Sequence, residues 1–477
     1  MNDLPNELAN ALANEATNTR YVPGPAKDLL ALLREPATVR LRSAAITRAV
    51  SDGLSPFFRI DRSALPAAAA RVAALTLSHY PDLTIPLHSR WRHFEAGGVD
   101  RKSQLDALLA AHSRADVARA QIDLTVLSVL LDAGAGAKWR YVEHVGGANT
   151  PSAMALPADR LGSDDLLALL DSAASGKAKE AVVESDDGTA YTRSEGLAVA
   201  SYQAFIGGVF SAKKDEPCRV DASALKTIDV AALRAVFQAG TRNPMVGLEG
   251  RAALLARLGA ALLAEHAKDG MVPRPSGVVD RVTHSFTRNE VSATDLLQEL
   301  LRCFGPIWQN GTTLKGVNAG DVWPHRWAGS ATAKGDDVVT VGWVPFHKLS
   351  QWLVYSLVEP LTWAGVTVTG LDELTALPEY RNGGLLIDAG VLVPRRASYL
   401  ERSWKPGDEI VIEWRALTIT LMDELAALVR AELGSAAINL PLACVLQGGT
   451  WAAGRALAQE LRGGAPPLNI ESDGTIF

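Results

Sequence analysis

Apolar residues recur at positions i, i+3, i+4 and i+7 in four long segments within the first two thirds of the chain. These segments are AKDLLALLRE, ALPAAAARVAALTLSHY, QLDALLAAHSRADVARAQIDLTVLSVLLDAG and GRAALLARLGAALLAEHAKDG. This spacing places the apolar side chains on one face of an α-helix. A further helix is predicted for ATDLLQELLRCFG, because Ser292 can accept a hydrogen bond from a first-turn amide and Gly305 stands where the helix should end.

Alternating, β-branched sequence is scarce and lies mainly in the last third of the chain, in DDVVTVGWV, AGVTVTG and DEIVIEWRAL. The predicted class is therefore mainly α and multi-helical, with a small β element in the C-terminal third. The loop-like segment SAASGKAKEAVVESDDGTAY suggests a soft boundary. We expect an N-terminal helical region over residues 1–180 and a C-terminal helical region over 181–477 that carries the β element and the active site, or one continuous domain.

The charge balance bears on the kind of partner. Lys and Arg number 47 against 53 Asp and Glu, a net charge of -6 over 477 residues, which argues against a nucleic-acid backbone as the main partner. The N-terminus lacks the basic start and apolar block of a signal peptide, and no apolar run reaches the roughly 18 residues of a membrane span. The three cysteines form no close pairs. We expect a cytoplasmic protein that binds a small polar molecule, without a cofactor and without a membrane partner.

The segment PFHKLSQWLVYSLVEPLTW carries a polar stripe in apolar surroundings. His347, Gln351, Tyr355 and Glu359 are each four residues apart, so on a helix they share a slowly drifting face. A solvated face would normally carry Lys and Glu. The stripe therefore predicts the wall of a polar pocket, with a surface stripe or satisfied core polar groups as the alternatives.

The segment LHSRWRHFEAGGVDR crowds basic groups around aromatic ones. Arg90, Arg92 and His93 flank Trp91. Guanidinium groups on an aromatic scaffold suit a phosphate or a carboxylate, and the alternative is an ion-paired loop that joins two helices. His88 and His93 are five residues apart and no HExxH occurs, so the sequence predicts no metal site.

Two further segments place acids in unusual company. In LLDAGAGAKWRYVEHV, a glycine turn at a helix end explains the glycines but not Asp132 near Trp139. In LPEYRNGGLLIDAGVL, Glu379 begins a run of four polar residues directly before a glycine pair, and Asp388 follows. No GxSxG motif is present, so carboxylates remain the candidates for acid–base chemistry. A buried ion pair between Glu379 and Arg381 is the structural alternative.

Five segments resemble a family of uracil-catabolism proteins encoded with the URC pathway: HSRWRHFEAGG, LLDAGAGAKWRY, SEGLAVASYQAF, LPEYRNGGLLIDAGVL and PPLNIESDGTIF. The resemblance runs nearly end to end. It implies a pathway in which uracil becomes a ribonucleotide, its ring is opened, and urea is released. LPEYRNGGLLIDAGVL alone is also similar to the acid, Tyr, Arg stretch of queuosine-salvage nucleoside hydrolases, helical proteins akin to DNA glycosylases. Glu379 stands where those proteins have Asp, and NGG replaces a Val-Pro-Gln run.

The resemblance implies hydrolysis of the N-glycosidic bond that joins urea to the ribose of a ring-opened intermediate. Such a reaction passes through an oxocarbenium-like state, which a Glu379 carboxylate would stabilise, while Asp388 or Asp132 would help to protonate the leaving urea. Arg381, Arg90 and Arg92 would hold a 5-phosphate. The other predicted substrate-binding residues are Tyr380, Asn382, His347, Gln351, Tyr355, Trp91, His93 and Trp139.

Two other functions stay open at this point. One is an amidohydrolase or deaminase that acts on the ring-opened intermediate. The other is a non-catalytic subunit that binds or channels this intermediate for other enzymes of the pathway. Polar residues in a pocket fit catalysis and binding alike.

Overall fold

The computed structural model describes residues 30–136, 138–144, 188–308, 311–329, 337–434 and 440–471. Its α-helices are α1 (Pro36–Ser51), α2 (Leu65–His79), α3 (Trp91–Phe94), α4 (Arg101–Leu108), α5 (Arg114–Leu130), α6 (Arg193–Ile206), α7 (Ala222–Thr227), α8 (Val230–Val236), α9 (Leu248–Asp269), α10 (Pro275–Thr283), α11 (Ala293–Phe304), α12 (Asp337–Thr340), α13 (Lys348–Trp363), α14 (Tyr380–Asp388), α15 (Ser398–Glu401), α16 (Glu409–Leu433), α17 (Leu442–Val445) and α18 (Trp451–Arg462). A π-helical turn, Leu446–Thr450, joins α17 to α18.

The strands are short and pair in twos. They are β1 (Phe58–Ile60), β2 (Arg140–His144), β3 (Gly188–Thr192), β4 (Glu290–Ser292), β5 (Thr313–Leu314), β6 (Val317–Asn318), β7 (Val322–Pro324), β8 (Trp343–Pro345), β9 (Thr367–Thr369), β10 (Leu392–Pro394), β11 (Ser403–Trp404) and β12 (Asn469–Ile470). The pairs β1–β10, β2–β3, β5–β6 and β7–β8 are antiparallel, whereas β4–β9 and β11–β12 are parallel. In register, Arg59 lies opposite Val393 and Val291 opposite Val368.

The mainly α class is confirmed, with two corrections to the predicted β element. The segment DEIVIEWRAL forms the first turns of α16, and only AGVTVTG and the end of DDVVTVGWV form strands, in β9 and β8. A short apolar run that is buried on every side reads alike as a strand or a helix, because no polar face reveals its period. Strands also occur well outside the last third of the chain, in β1, β2 and β3.

Helix ends follow local chemistry. Ser292 accepts hydrogen bonds from the amides of Thr294 and Asp295, and α11 ends at Phe304 before Gly305, as the sequence predicts. Ser113 caps α5 in the same way through the Asp116 amide. A left-handed glycine, Gly434, ends α16, because a residue without a Cβ adopts that conformation at little cost.

Three buried helices, α5, α13 and α16, organise the core. Helix α16 packs on α1, α2 and α14, while α5 packs on α13, α6 and α10. Along α16 every residue from Ile410 to Ile419 is buried, and a helix that is apolar or buried all round belongs in the interior. The core thus draws on helices from both predicted regions. The predicted boundary itself, near residue 180, lies outside the described residues.

No helix in the described ranges is both long enough and apolar enough to cross a membrane.

Candidate active site

Glu379 occupies the N-cap of helix α14. Its backbone is extended (φ -135°, ψ 178°), and its two carboxylate oxygens accept hydrogen bonds from the amides of Arg381 and Asn382, both at 2.8 Å. A side chain that satisfies two free first-turn amides fixes the start of a helix. Burial raises the pKa of Glu379, while these two amides and the positive charges of Lys348 and Arg381 oppose that rise. The residue as a whole is half-buried.

The glycine pair that follows serves packing. A Cβ on Gly383 would overlap the indole ring of Trp414, whose Nε1 donates a hydrogen bond to the Gly383 carbonyl at 3.1 Å. A Cβ on Gly384 would lie 3.1 Å from Pro467. Gly383 therefore lets α14 lie directly against α16, and Gly384 lets it lie against Pro467. Glu379 stands at the N-terminal end of α14.

Lys348 begins helix α13 and lies near Glu379. Burial lowers the pKa of the Lys348 ammonium, and the negative charges of Glu379 and Asp132 oppose that fall. The Lys348 amide donates to Asp321 Oδ2 at 3.1 Å. Asp321 forms a bidentate ion pair with Arg415, at 2.7 Å for each contact. Although burial alone would raise it, Arg415 lowers the pKa of Asp321 to about 2, so a fixed buried anion anchors the start of α13.

Arg90 is fully buried and ties Asp132 into the same region. Its Nε donates to Ser128 Oγ at 2.8 Å and its Nη1 to the Ser194 carbonyl at 3.2 Å. The same Nη1 lies 3.2 Å from Asp132 Oδ2. Asp132 in turn acts electrostatically on Lys348 and on His88. The predicted acid Asp132 and the predicted acid Glu379 therefore share one cationic neighbour, Lys348.

Trp352, one turn after Lys348, is the centre of an aromatic and basic cluster. The rings of His88 and His93 lie 6.3 and 5.8 Å from the Trp352 ring, and the Arg90 guanidinium lies 5.7 Å from it. Burial lowers the pKa of both histidines, and for His93 the charge of Arg90 adds to that effect. His88 Nδ1 contacts Gln447 Oε1 of the π-helical turn at 3.0 Å.

Three buried donor or acceptor atoms in this cluster have no hydrogen-bond partner among the described residues: Arg90 Nη2, His93 Nδ1 and Trp352 Nε1. Buried polar atoms are rarely left unpaired in folded proteins, and exceptions concentrate where a ligand or a reacting group belongs. Polar atoms of a molecule bound beside Trp352 would therefore supply the hydrogen bonds that these three atoms lack.

The chain matches the family described as "Protein of unknown function (DUF1688)" over residues 32–153 and 166–477. It belongs to the DUF1688 family. Two curated relatives cover most of its length. Protein urg3 of Schizosaccharomyces pombe is 35% identical over 442 residues, which is 91% of this chain and 94% of the relative. Uracil catabolism protein 4 of Lachancea kluyveri is 33% identical over 423 residues, 83% of this chain and 85% of the relative.

In this DUF1688 protein, three side chains of the predicted polar stripe form hydrogen bonds inside the core. Gln351 Nε2 donates to the Phe346 carbonyl and to Thr375 Oγ1, and its Oε1 accepts from the Thr375 amide at 2.7 Å. Tyr355 donates to the Thr375 carbonyl at 3.2 Å, and His347 Nε2 contacts the Leu33 carbonyl at 2.8 Å. These are satisfied core polar groups, so we leave all three outside the candidate site.

Other predicted residues also have structural contacts. Asn382 is buried between the Leu377 carbonyl and the hydroxyl of Thr450, so it locks α14 to the π-helical turn. Tyr380 packs on the core. The Trp139 indole is buried and donates to the Phe237 carbonyl at 2.8 Å. All three side chains therefore have structural roles in the fold.

The remaining predicted residues, Trp91, Arg92 and Asp388, each have a contact of their own. Trp91 packs edge-on against Trp363 at 4.7 Å, and Arg92 pairs with Glu359 at 2.5 Å. Asp388 is the last residue of α14, where it pairs with Arg462 at 2.5 Å. Nine residues of helix separate it from Glu379 by roughly 13 Å along the axis. The structure does not bring Asp388 to the Glu379 carboxylate.

Several members of the site carry no clear signal in the sequence. Lys348 lies inside the polar stripe segment, where a lysine in a first helical turn looks like an ordinary solvated side chain. Trp352 is one of 11 tryptophans. Over the described ranges, no group of three or more His, Cys, Asp or Glu side chains is arranged to hold a metal ion.

Proposed function

We propose that this protein acts in uracil catabolism and hydrolyses the N-glycosidic bond of a ring-opened ureido-ribose or its phosphate, releasing urea. The family relationship supports the pathway, because one curated relative bears the name Uracil catabolism protein 4. The chemistry supports the step, because a pathway that opens the ring on a ribonucleotide leaves a ureido group on the anomeric carbon, and freeing urea requires the break of that bond.

The observation that carries the proposal is the electrostatic interaction between Glu379, the N-cap of α14, and Lys348, the first residue of α13. Burial raises the pKa of the carboxyl group and lowers the pKa of the ammonium group. Burial therefore shifts the two pKa values toward each other. An acid and a base with converging pKa values are what a hydrolytic proton transfer needs.

In this reaction Glu379 and Lys348 have different roles. As the bond between the anomeric carbon and the urea nitrogen breaks, the Glu379 carboxylate stabilises the positive charge that develops on the sugar. Glu379 then takes a proton from the attacking water, whose oxygen bonds to the anomeric carbon. Lys348 donates a proton to the departing urea nitrogen and regains one from Glu379 through solvent. The products are urea and ribose, or ribose phosphate, and atoms and charge balance.

The other members of the site surround this pair. Asp132 holds Arg90 and contributes negative charge beside Lys348. The unpartnered atoms of Arg90, His93 and Trp352 would receive polar atoms of the ureido group or of the sugar. Gln447, in the π-helical turn, holds His88 in place.

The test is urea release from the purified full chain with ureido-ribose and with ureido-ribose 5-phosphate as substrates. We expect urea from the wild type, and a loss of about 10²-fold or more in kcat for Glu379→Gln, because a positioned base is typically worth that factor. Glu379→Gln also loses one of the two capping contacts, so Glu379→Asp, which keeps a good N-cap, is measured beside it.

Asp388→Asn is the matched control, since it removes an acid from the other end of the same helix. It should keep near-normal turnover. Near-normal turnover for Glu379→Gln would contradict the assigned base. Urea from neither substrate, with binding still detectable, would instead favour a binding or channelling subunit.

A further inference from the structure

Three arginines from three helices meet around Arg381, two residues after Glu379. Arg193 is the first residue of α6, Arg381 lies in the first turn of α14, and Arg455 lies in α18. The Arg381 Nη1 donates to the Gly464 carbonyl at 3.4 Å, and the Arg193 Nη2 lies 3.4 Å from the position that a Cβ on Gly464 would take. Two guanidinium groups therefore meet at one glycine.

The positive charge at this point is only partly neutralised. Arg455 pairs with Glu195 at 3.2 Å. The Arg193 guanidinium forms no hydrogen bond and no ion pair with any described residue, and the Arg381 guanidinium forms no ion pair within the same ranges. Burial lowers the pKa of Arg381, and the charges of Arg193 and Arg455 lower it further, against Glu379 and Glu195. Arg193 and Arg455 are exposed and Arg381 is half-buried, so an anion from solvent has access to all three and would offset the repulsion between them.

The arrangement is held by backbone features. Arg193 has a left-handed backbone (φ 54°), which is uncommon for a residue with a side chain and is found where surrounding structure imposes it. A Cβ on Gly454 would overlap the Arg381 carbonyl oxygen, so α14 and α18 touch backbone to backbone. That contact fixes Arg381 relative to Arg455, one residue along α18 from Gly454.

Two of the arginines that the sequence predicts for phosphate binding, Arg90 and Arg92, form ion pairs at other places. Arg92 pairs with Glu359 and Glu95. Arg90 holds Ser128, the Ser194 carbonyl and Asp132. Of the predicted set, Arg381 alone has its guanidinium in this positive cluster, where its neighbours are two arginines that the sequence did not single out.

We propose that Arg193, Arg381 and Arg455 form a binding site for a phosphate monoester. Guanidinium groups match phosphate oxygens in geometry and charge. Glu379 and Arg381 leave the same turn of α14, so a sugar between them would present its anomeric carbon to the carboxylate and its phosphate to the arginines. Taken with the proposed function, on which the identity of the sugar rests, the phosphorylated ureido-ribose is the substrate.

The test measures binding by titration calorimetry of ribose 5-phosphate, ribose and inorganic phosphate to the full chain. We expect the wild type to bind ribose 5-phosphate at least about tenfold more tightly than ribose, and inorganic phosphate to compete with it. Arg193→Gly and Arg455→Gln should each weaken ribose 5-phosphate about tenfold and leave ribose unchanged. Arg193→Gly removes the guanidinium and tolerates the left-handed backbone, so it should fold normally.

Arg59→Ala is the matched control, because Arg59 is an exposed strand residue whose side chain pairs with Asp61; it should bind ribose 5-phosphate as the wild type does. Equal affinity for ribose 5-phosphate and ribose, or unchanged affinity in both arginine variants, would overturn the proposal. Because binding is measured without turnover, arginine-dependent binding with no urea release would refute the hydrolase and keep this site. Equal urea release from both substrates, without phosphate-dependent binding, would support the hydrolase and refute this phosphate site.

Discussion

At the scale of single residues, two opposing effects act on the pKa of the Glu379 carboxyl group. The free amides at the start of α14 favour its charged form, as does the helix dipole, while burial favours the neutral form and has the larger effect on the pKa. Lys348 experiences the mirror situation, because burial favours its neutral form and the nearby acids favour its charged form. Burial thus acts on the two pKa values in opposite directions.

A consequence is the pH dependence of kcat/KM. Below its pKa, Glu379 is protonated and cannot accept a proton from water; because that pKa is raised, activity should fall on the acid side at a higher pH than an ordinary Glu would give. Above its pKa, Lys348 cannot donate, and its lowered pKa should bring the alkaline fall below the range of an ordinary lysine. We expect a bell-shaped profile of urea release.

Lys348→Met should lower turnover and remove the alkaline limb of that profile while the acid limb stays. Lys226→Met provides a control at a lysine of α7, away from Glu379, and should leave both limbs unchanged. An alkaline limb that persists in Lys348→Met would assign the proton donor to another group.

At the scale of elements, α14 is placed by glycines. Gly383 and Gly384 let it lie against α16 and Pro467, and Gly454 of α18 lies against its other side. Short helices contribute little stability on their own, so α14 keeps its place through these contacts, its N-cap and the Asn382–Thr450 hydrogen bond.

Gly383→Ala should therefore destabilise the fold. The added Cβ would overlap the Trp414 indole, and extra atoms in a close-packed core cost about 1–3 kcal/mol. Gly240→Ala is the control, since nothing lies within 4 Å of a Cβ there and its φ is not left-handed. Urea-induced unfolding of both variants measures the difference, and equal stability of the two would show that α14 can move away from α16.

The elements differ in how far local sequence determines them. The cap at Ser292 and the stop at Gly305 are local chemistry, and the helix between them forms as predicted. DEIVIEWRAL, in contrast, is read as a strand because it is rich in β-branched residues and Trp. It forms the first turns of α16, where even Glu413 and Arg415 are buried with partners, so no polar face marks the helical period in its sequence.

At the scale of the whole molecule, α16 joins distant parts of the chain through buried polar groups. Arg415 holds Asp321 before α13, and Glu413 accepts a hydrogen bond from Ser55, which in turn accepts from the amides of Phe57 and Phe58. Burial raises the pKa of Glu413 to about 7. The folded state thus binds a proton at Glu413 that the unfolded chain releases at lower pH.

The sign of the effect on stability follows from linkage. Because its folded pKa is raised, Glu413 contributes stability that is fully present below its unfolded pKa of 4.5 and is lost as pH rises through about 7. The full loss amounts to roughly 3 kcal/mol. Glu413→Gln should keep the contact with Ser55 and lose less unfolding free energy than the wild type between pH 5 and pH 8.

Denaturant titrations at these two pH values provide the measurement. Glu424→Gln, which removes a surface ion pair with Arg62, is the control and should follow the wild type. An equal drop in stability for the wild type and Glu413→Gln would show that Glu413 does not hold its proton in the folded state.

The sequence by itself determined the helical class and the special character of the stretch around Glu379, because helix periodicity, caps and glycine pairs are local properties of the chain. It also carried the family resemblance. Only the tertiary structure decided that Lys348 interacts with Glu379 and that Arg193 lies near Arg381. It also decided that Gln351 and Tyr355 bond to Thr375 and that Asp388 pairs with Arg462. Those outcomes depend on which helices pack together, and contacts between residues far apart in the chain leave no trace in local spacing.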